Sequence, residues 1–409
     1  MSAAQTETRS APLYWLALGA FAIGTEGFMV AAILPKIASD LSVSVVAAGQ
    51  IITLFALSYG VSSPILTALT GRVGRRPLLI ASMAAFAVSN LLAAAAPSYG
   101  TLMAARILLA FTAGLFVPGA NALAGALVTP ERRGRAIAIV NSGLTVAVTL
   151  GVPLGAVVGN ALGWRMTFVG VAVLASIALI GLIFGLPRDV GAGLTTAGLR
   201  ERLEVALKPG ILPSLLVTLL WAVGAYTVYT YIAPFMGHAV GIEGRDIGAV
   251  LFLWGAAAAL GLVLSGLATD RFGSNRVTAA ALIAAAAALT SLSNWAHLLS
   301  PHAALVPVGI TVAVWGMAHW AFWPAQQARL IGLVGLKSAS VALSLNASAM
   351  YLGFSLGATL GSLVMRSFSV ADLGWAGGAS VVLSLAVYLT IAARSASPAS
   401  QPSVPPATP

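Results

Sequence analysis

Glu26 and Arg106 carry formal charge deep inside stretches of sequence that are otherwise almost free of it. A carboxyl group so placed can bind a proton and release it, whereas a guanidinium keeps its charge and can only attract an anion or let it go. An ionised side chain at the centre of a bilayer costs at least about 2.5–3.5 kcal/mol, so such residues are functional candidates by default. Burial favours the neutral acid, and a neighbouring guanidinium favours the carboxylate. If motion changed water access or the distance between them, Glu26 would take up a proton on one side and give it up on the other. The competing reading is a static ion pair that pins two helices together. A second candidate is His319, which shares one helical face with Trp315, Phe322 and Trp323. Its imidazole could titrate or hydrogen-bond a bound molecule, or simply pack among the rings. Phe28, Met29, Phe111, Tyr226, Tyr229 and Thr230 complete a set able to bind an apolar or aromatic molecule through few polar contacts.

The elements that hold these residues must cross a membrane. Of 409 residues, 59% are hydrophobic and 8% charged, against about 25% charged in soluble domains. Runs of about 20 residues nearly free of charge, enough to span roughly 30 Å as helix, recur along the chain. They fall at 13–34, 46–69, 77–96, 101–127, 136–160, 166–186, 211–235, 247–269, 276–296, 303–324, 339–365 and 375–393, which predicts twelve spans. Both alternating phases are apolar, which argues against a β-barrel. At about 1.5 Å per residue, Glu26 lies about 12 Å before the end of span 1 near Leu34, and Arg106 roughly 8 Å after the start of span 4 near Thr101. Those spans run in opposite directions, so the two depths agree within about one helical turn. His319 is about 24 Å along span 10 from Ala303, toward the other face of the membrane.

The net charge of +10 could suggest nucleic acid as a partner, but its distribution argues against that. With loops assigned alternately to two sides, every basic residue outside the spans falls on one side except Lys36, Arg165, Arg245 and Arg366. The positive-inside rule then places both termini in the cytoplasm. Without cysteine there is no disulfide or thiolate site, and His238, His297, His302 and His319 are too scattered to suggest a metal cluster. The first apolar run exceeds a secretory signal's core, so span 1 reads as an uncleaved helix. The expected organisation is a cytoplasmic segment 1–12, a six-helix bundle 13–186, a cytoplasmic linker 187–210, a second bundle 211–394 and a disordered tail 395–409. Leu199, Leu203 and Leu207 recur every fourth residue in the linker, predicting an amphipathic helix on the inner membrane surface.

Three patterns occur twice, about half a chain apart. Gly266-x-x-x-Asp270-Arg271-x-Gly273 echoes Thr67-x-x-x-Gly71-Arg72-x-Gly74-Arg75-Arg76. Gly151-x-x-x-Gly155-x-x-x-Gly159 echoes Gly353-x-x-x-Gly357-x-x-x-Gly361, and Phe116-Val117-Pro118 echoes Phe322-Trp323-Pro324. Such repetition within apolar sequence marks a transporter of two parallel halves that can rock around a site between them.

On these motifs the chain, over residues 13–393, resembles the major facilitator superfamily and its twelve-span drug:proton antiporters. Leu102-Met103-Ala104-Ala105-Arg106 resembles the family's arginine-bearing motif, and Gly143, Gly151, Pro153, Gly155 and Gly159 resemble its antiporter motif. Gly163-Trp164-Arg165-x-x-Phe168 also fits. Gly24-Thr25-Glu26-Gly27-Phe28-Met29-Val30 resembles the first span of arabinose, nucleoside and chloramphenicol exporters. The resemblance implies a central cavity lined by spans 1, 4, 7 and 10, and gating loops at Arg72, Gly74, Arg75, Arg76, Gly266, Asp270, Arg271 and Gly273. There the Asp270 carboxylate would latch a helix end, a function that Gly71 cannot supply in the first half. The expected function is proton-driven export of a small organic molecule, a drug or a sugar-like or nucleoside metabolite, by a monomer in a bacterial inner membrane. No cofactor or metal is expected; the partners are cargo, protons and lipid. The alternatives are a proton-coupled importer, a transport-dead sensor and a membrane enzyme. Gly353-x-Ser355-x-Gly357 matches a hydrolase elbow only in spacing, because it lies inside a span.

Overall fold

Backbone groups in lipid have no water to bond, so apolar runs close their hydrogen bonds internally as helices. In the computed structural model, which describes residues 11–188, 190–191 and 197–396, 12 helices are long and apolar enough to cross a membrane. Spans 1 to 6 are Ala11–Asp40, Val45–Arg72, Arg75–Ala94, Tyr99–Ala126, Arg133–Ala161 and Trp164–Gly185. Spans 7 to 12 are Ile211–Tyr229, Gly244–Phe272, Ser274–Leu298, Pro301–Val334, Leu336–Ser367 and Val370–Ala393. No strand occurs among the described residues. Both described ends lie on one side of the bundle, here the terminal side. The segment 1–12 before its last two residues, and the tail beyond Ala396, lie outside the described residues.

Packing repeats as the sequence patterns do. Span 1 packs on 5 and 6, span 2 on 4, and span 3 on 4 and 6; six spans later, 7 packs on 11 and 12, 8 on 10, and 9 on 10 and 12. The halves meet through spans 2 and 11 and through spans 5 and 8. Ala147–Ala161, the half of span 5 away from the terminal side, packs along span 8, whereas Arg133–Val146 barely touches it. The seam is therefore closed on the far side and parts toward the terminal side.

Two prolines shape the helices around the centre. Pro153 has no N–H and its ring crowds the carbonyl four residues back, at Thr149. Span 5 opens there into a π-helical turn, Ala147–Gly151, in which the Val152 N–H reaches back to the Ala147 carbonyl. Pro234 does the same to Thr230. Span 7 stops at Tyr229, and a separate helix, Ile232–Val240, continues it, so the single run expected over 211–235 is broken. Span 1 is longer than expected, passing through Pro35 to Asp40. Asp40 pairs there with Arg165 and accepts from Trp164 Nε1 at 2.9 Å. Gly163, at φ 95°, makes the two-residue turn between spans 5 and 6 possible.

The linker helix covers Leu199–Ala206. Buried Arg202 donates to Ser344 Oγ at 2.8 Å, and Val205 packs with Val341 and Ala342 of span 11. Leu199, Leu203 and Leu207 face outward, exposed. The helix is thus docked to the second half through Arg202 and Val205, leaving its leucine row exposed.

Candidate functional site

Glu26 and Arg106 meet. The Oε1 of one is ion-paired with the Nη1 of the other, and both side chains are 0% exposed. Arg106 is also gripped from span 2: its Nε donates to the Ile51 carbonyl at 3.4 Å, and the guanidinium lies 4.1 Å from the centroid of the Phe55 ring. Glu26 Oε2, Arg106 Nη2 and Thr25 Oγ1 have no hydrogen-bond partner among the described residues. Desolvation offsets most of the Coulomb gain of a buried pair unless its remaining lone pairs and protons are satisfied. Here they are not, so the pair is a poor cement and a suitable switch.

Beside it, rings from both halves form one continuous cluster. The Phe28 ring lies 6.4, 6.1 and 6.4 Å from those of Tyr226, Tyr229 and Trp320, and Tyr229 Oη donates to the Phe28 carbonyl at 3.2 Å. Tyr226 stacks on Phe354 of span 11 at 3.6 Å, and across the seam Tyr59 stacks on Tyr351 at 3.7 Å. His319 is stacked on Trp221 at 4.2 Å and lies 5.9 Å from Trp254, which in turn lies 5.5 Å from Trp315. Phe322 stacks on Trp221 at 4.4 Å, and Trp323 lies 6.4 Å from it. Thr230 is buried at the break in span 7 with its Oγ1 unpartnered.

Two of the expected lining residues are elsewhere. Met29 is fully buried, with its side chain where a β-carbon on Gly155 would come within 3.0–3.6 Å, so it packs between spans 1 and 5. Phe111 is 38% exposed, in a row with Ala104 and Leu108. It is about 140° around span 4 from Arg106, because five residues make nearly one and a half turns. Trp221, Trp254, Trp320, Tyr59, Tyr351 and Phe354 join the cluster without having been anticipated. Trp221, Ala225 and Tyr229 form one row of span 7 at four-residue spacing, a signal that could have found the first; nothing in span 8 distinguishes Trp254 before its neighbours are known.

A comparison with protein families matches the Major Facilitator Superfamily over residues 16–358. The chain belongs to the major facilitator superfamily. It is accordingly a transporter and not an enzyme, as its curated relatives are named. It is 32% identical over 379 residues to the "Uncharacterized MFS-type transporter YbcL" of Bacillus subtilis (strain 168), covering 93% of this chain and 95% of that one. It is 35% identical over 358 residues to the "Inner membrane transport protein YdhP" of Escherichia coli (strain K12), covering 87% and 89%. It is 36% identical over 262 residues to the "Chloramphenicol resistance protein" of Streptomyces lividans, covering 64% and 67%.

In this major facilitator chain the glycine row of span 5 is the bed of the Glu26 helix. β-Carbons on Gly143, Gly151, Gly155 and Gly159 would strike Ala17, Thr25, Met29 and Ile33, all on one face of span 1. Gly353, Gly357 and Gly361 pack likewise on span 7, against Leu219, Val223 and Thr227. In that register Leu220 stands where Glu26 would be, and span 7, Ile211–Tyr229, carries no acid at all. Gly151→Ala is expected to destabilise the protein by about 1–3 kcal/mol through overpacking. Its new methyl would collide with Thr25 Oγ1 and sit 3.2 Å from Cγ2. Thr25→Ala removes both atoms and should restore much of the loss, as read from thermal unfolding of single and double variants in detergent.

The gating loops behave differently in the two halves. Arg76 donates to the Ile183 and Leu186 carbonyls at 2.6 and 3.2 Å, capping the end of span 6. Arg75 is buried, with Nε and Nη2 unpartnered and Gly191 of the linker against its stem, while Arg72 and Gly74 are exposed. In the second half Gly266 lies within span 8, and Gly273, at φ 83°, ends it. Asp270 is exposed and makes no ion pair or hydrogen bond with described residues, and Arg271 only covers the Phe272 ring at 5.3 Å. The expected latch is therefore not made in this arrangement, in which spans 5 and 8 part on that side.

Proposed function

We propose that the chain is a proton-coupled exporter of a small organic molecule, working by alternating access, with Glu26 as proton carrier. The observation that supports this most is the fully buried Glu26–Arg106 pair with a free carboxylate oxygen, set beside rings that both halves contribute. The terminal side is read as cytoplasmic from the loop charges, and the membrane as a bacterial inner one, in line with the name of the Escherichia coli relative. The chain works alone and without a cofactor, driven by the proton gradient.

The sequence of events follows from the geometry. Protonation of Glu26 from the outside removes the charge that holds Nη1 of Arg106, while the Ile51 carbonyl and the Phe55 face still hold the guanidinium. Span 1 is then free to move on its glycine bed, and with it Phe28 and the ring contacts to spans 7 and 10. When the cavity opens inward, Arg106 reclaims the carboxylate, the proton leaves to the cytoplasm, and cargo enters among the rings. Outward return carries the cargo out.

Everted vesicles with a trapped pH indicator test this. Chloramphenicol is the first cargo to try, because one relative is named for resistance to it. Its addition to vesicles with an acidified lumen should raise lumenal pH, relative to vesicles lacking the protein. A fall in lumenal pH would mark cotransport and favour an importer. No change with chloramphenicol or with a panel of aromatic drugs would remove the coupling claim.

A further inference from the structure

We infer that the aromatic cluster of the second half is built for an uncharged, planar molecule carrying two or more hydrogen-bond acceptors and no cation. Four indole N–H groups, those of Trp221, Trp254, Trp315 and Trp320, are buried without a partner, as is Nδ1 of His319 beside them. Their rings form one contiguous set: Trp221 stacks on His319 at 4.2 Å, Trp254 lies 5.9 Å and Trp320 6.3 Å from the same imidazole, and Trp315 lies 5.5 Å from Trp254. An indole nitrogen can donate and cannot accept, so whatever satisfies these groups must be an acceptor. Buried donors left unmade are costly and rare in native proteins. Four in one patch of a transporter point to a ligand that supplies carbonyl, nitro or ether oxygens. The Tyr229 hydroxyl hydrogen is already spent on the Phe28 carbonyl.

Charge sets the rest of the class. Every acidic side chain described in the second half sits in the linker helix, a loop or a helix end: Glu201, Glu204, Glu243, Asp246, Asp270 and Asp372. Glu26 is taken by Arg106. A cationic drug would meet ring faces, which attract it, but also N–H groups that can only donate, which a cation cannot satisfy, and no counter-charge. A flat ring system with acceptors at its ends fits both features, stacking on the indoles while its oxygens take the N–H groups.

The inference rests on the reading that cargo binds among these rings, but it is tested by binding alone, with no gradient. Three probes of like shape are used with purified protein in detergent: 4-nitroacetophenone, 1,4-diisopropylbenzene and 4-isopropyl-N,N,N-trimethylanilinium. The first should bind tightest. Trp254→Phe and Trp315→Phe, which keep a ring and lose the N–H, should each weaken it about five- to tenfold, the worth of one neutral hydrogen bond. They should leave the diisopropyl probe within about twofold, well below that loss. Spectra of protein labelled with 15N in its indole nitrogens provide the second readout, since the same N–H signals should shift with 4-nitroacetophenone and not with its hydrocarbon counterpart. Equal losses for both probes, preference for the cation, or no binding of the first probe would overturn the inference. If it fails while chloramphenicol or another drug still moves protons in vesicles, the exporter reading stands; if vesicles are silent but the binding pattern holds, only the coupling falls.

Discussion

Glu26→Gln is expected to fold and insert as the parent chain does, yet to lose all transport that a pH gradient drives. Glutamine keeps the shape of the side chain and an oxygen for Arg106 Nη1, and its amide can neither take nor release a proton. One proton exchanged per cargo across one pH unit supplies about 1.4 kcal/mol, a tenfold concentration ratio. Proteoliposomes of the variant should therefore equilibrate labelled cargo to a ratio near one where the parent builds a gradient. Exchange of labelled for unlabelled cargo, which needs no proton, should persist, and this separates a lost coupling group from a broken protein. Undiminished uphill transport by the variant would defeat the role given to Glu26. Loss of both activities in a well-folded variant would move Glu26 from proton carrier to cargo ligand.

What could be read from residues alone follows from which signals are local. The spans are legible because each is a long uncharged run, and the duplication because three motifs repeat at nearly the same spacing. Glu26 and Arg106 stood out since charge is rare in such runs, and their depths along antiparallel helices brought them level. Trp315, His319 and Phe322 share a face by helical periodicity within span 10, and the structure has them on the cluster. Which residues of other helices meet that face depends on how each span is rotated about its axis, and that is set by packing of distant glycines. Hence no local signal marks Trp254, and Phe111, on the side of span 4 opposite Arg106, reads from its type alone as a cavity residue that the packing places elsewhere. The breaks at Thr230 and at Ala147–Gly151 were invisible for another reason. Proline in a membrane helix can be absorbed by a bend, a π turn or a stop, and neighbouring helices decide which.

The asymmetry between the halves sharpens the functional reading. The same glycine row lies under Thr25 and Met29 in span 1 and under Leu219 and Val223 in span 7. One half puts an acid beside that bed and the other an apolar residue, Leu220. The first half thus carries the buried acid, and the second most of the aromatic cluster. On the proposed reading, this division makes proton and cargo sites adjacent but distinct, joined through Phe28, whose ring lies against Tyr226, Tyr229 and Trp320. Competition for one carboxylate is then unnecessary; movement of span 1 is enough.

Arg106→Leu is expected to be the most damaging single change for stability. It strands an ionised Glu26 in a site with 0% exposure, and removing one partner of a buried pair typically costs about 3–5 kcal/mol. The loss should be largest at alkaline pH and shrink toward acid, where the carboxyl can be neutral and no charge is left alone. Glu26→Met combined with Arg106→Leu should recover most of the stability, because apolar side chains of similar size often replace a buried pair at little or no cost. That double variant should also lack any pH dependence from this site. Thermal unfolding in detergent across pH measures all of these, and transport separates the two readings of the pair. A static pin would be replaced by the apolar pair with function intact; a proton carrier would not, and the stable double variant should move no cargo against a gradient. Recovered stability with recovered uphill transport would leave the pair a mere brace and send the search for the coupling group elsewhere in the bundle.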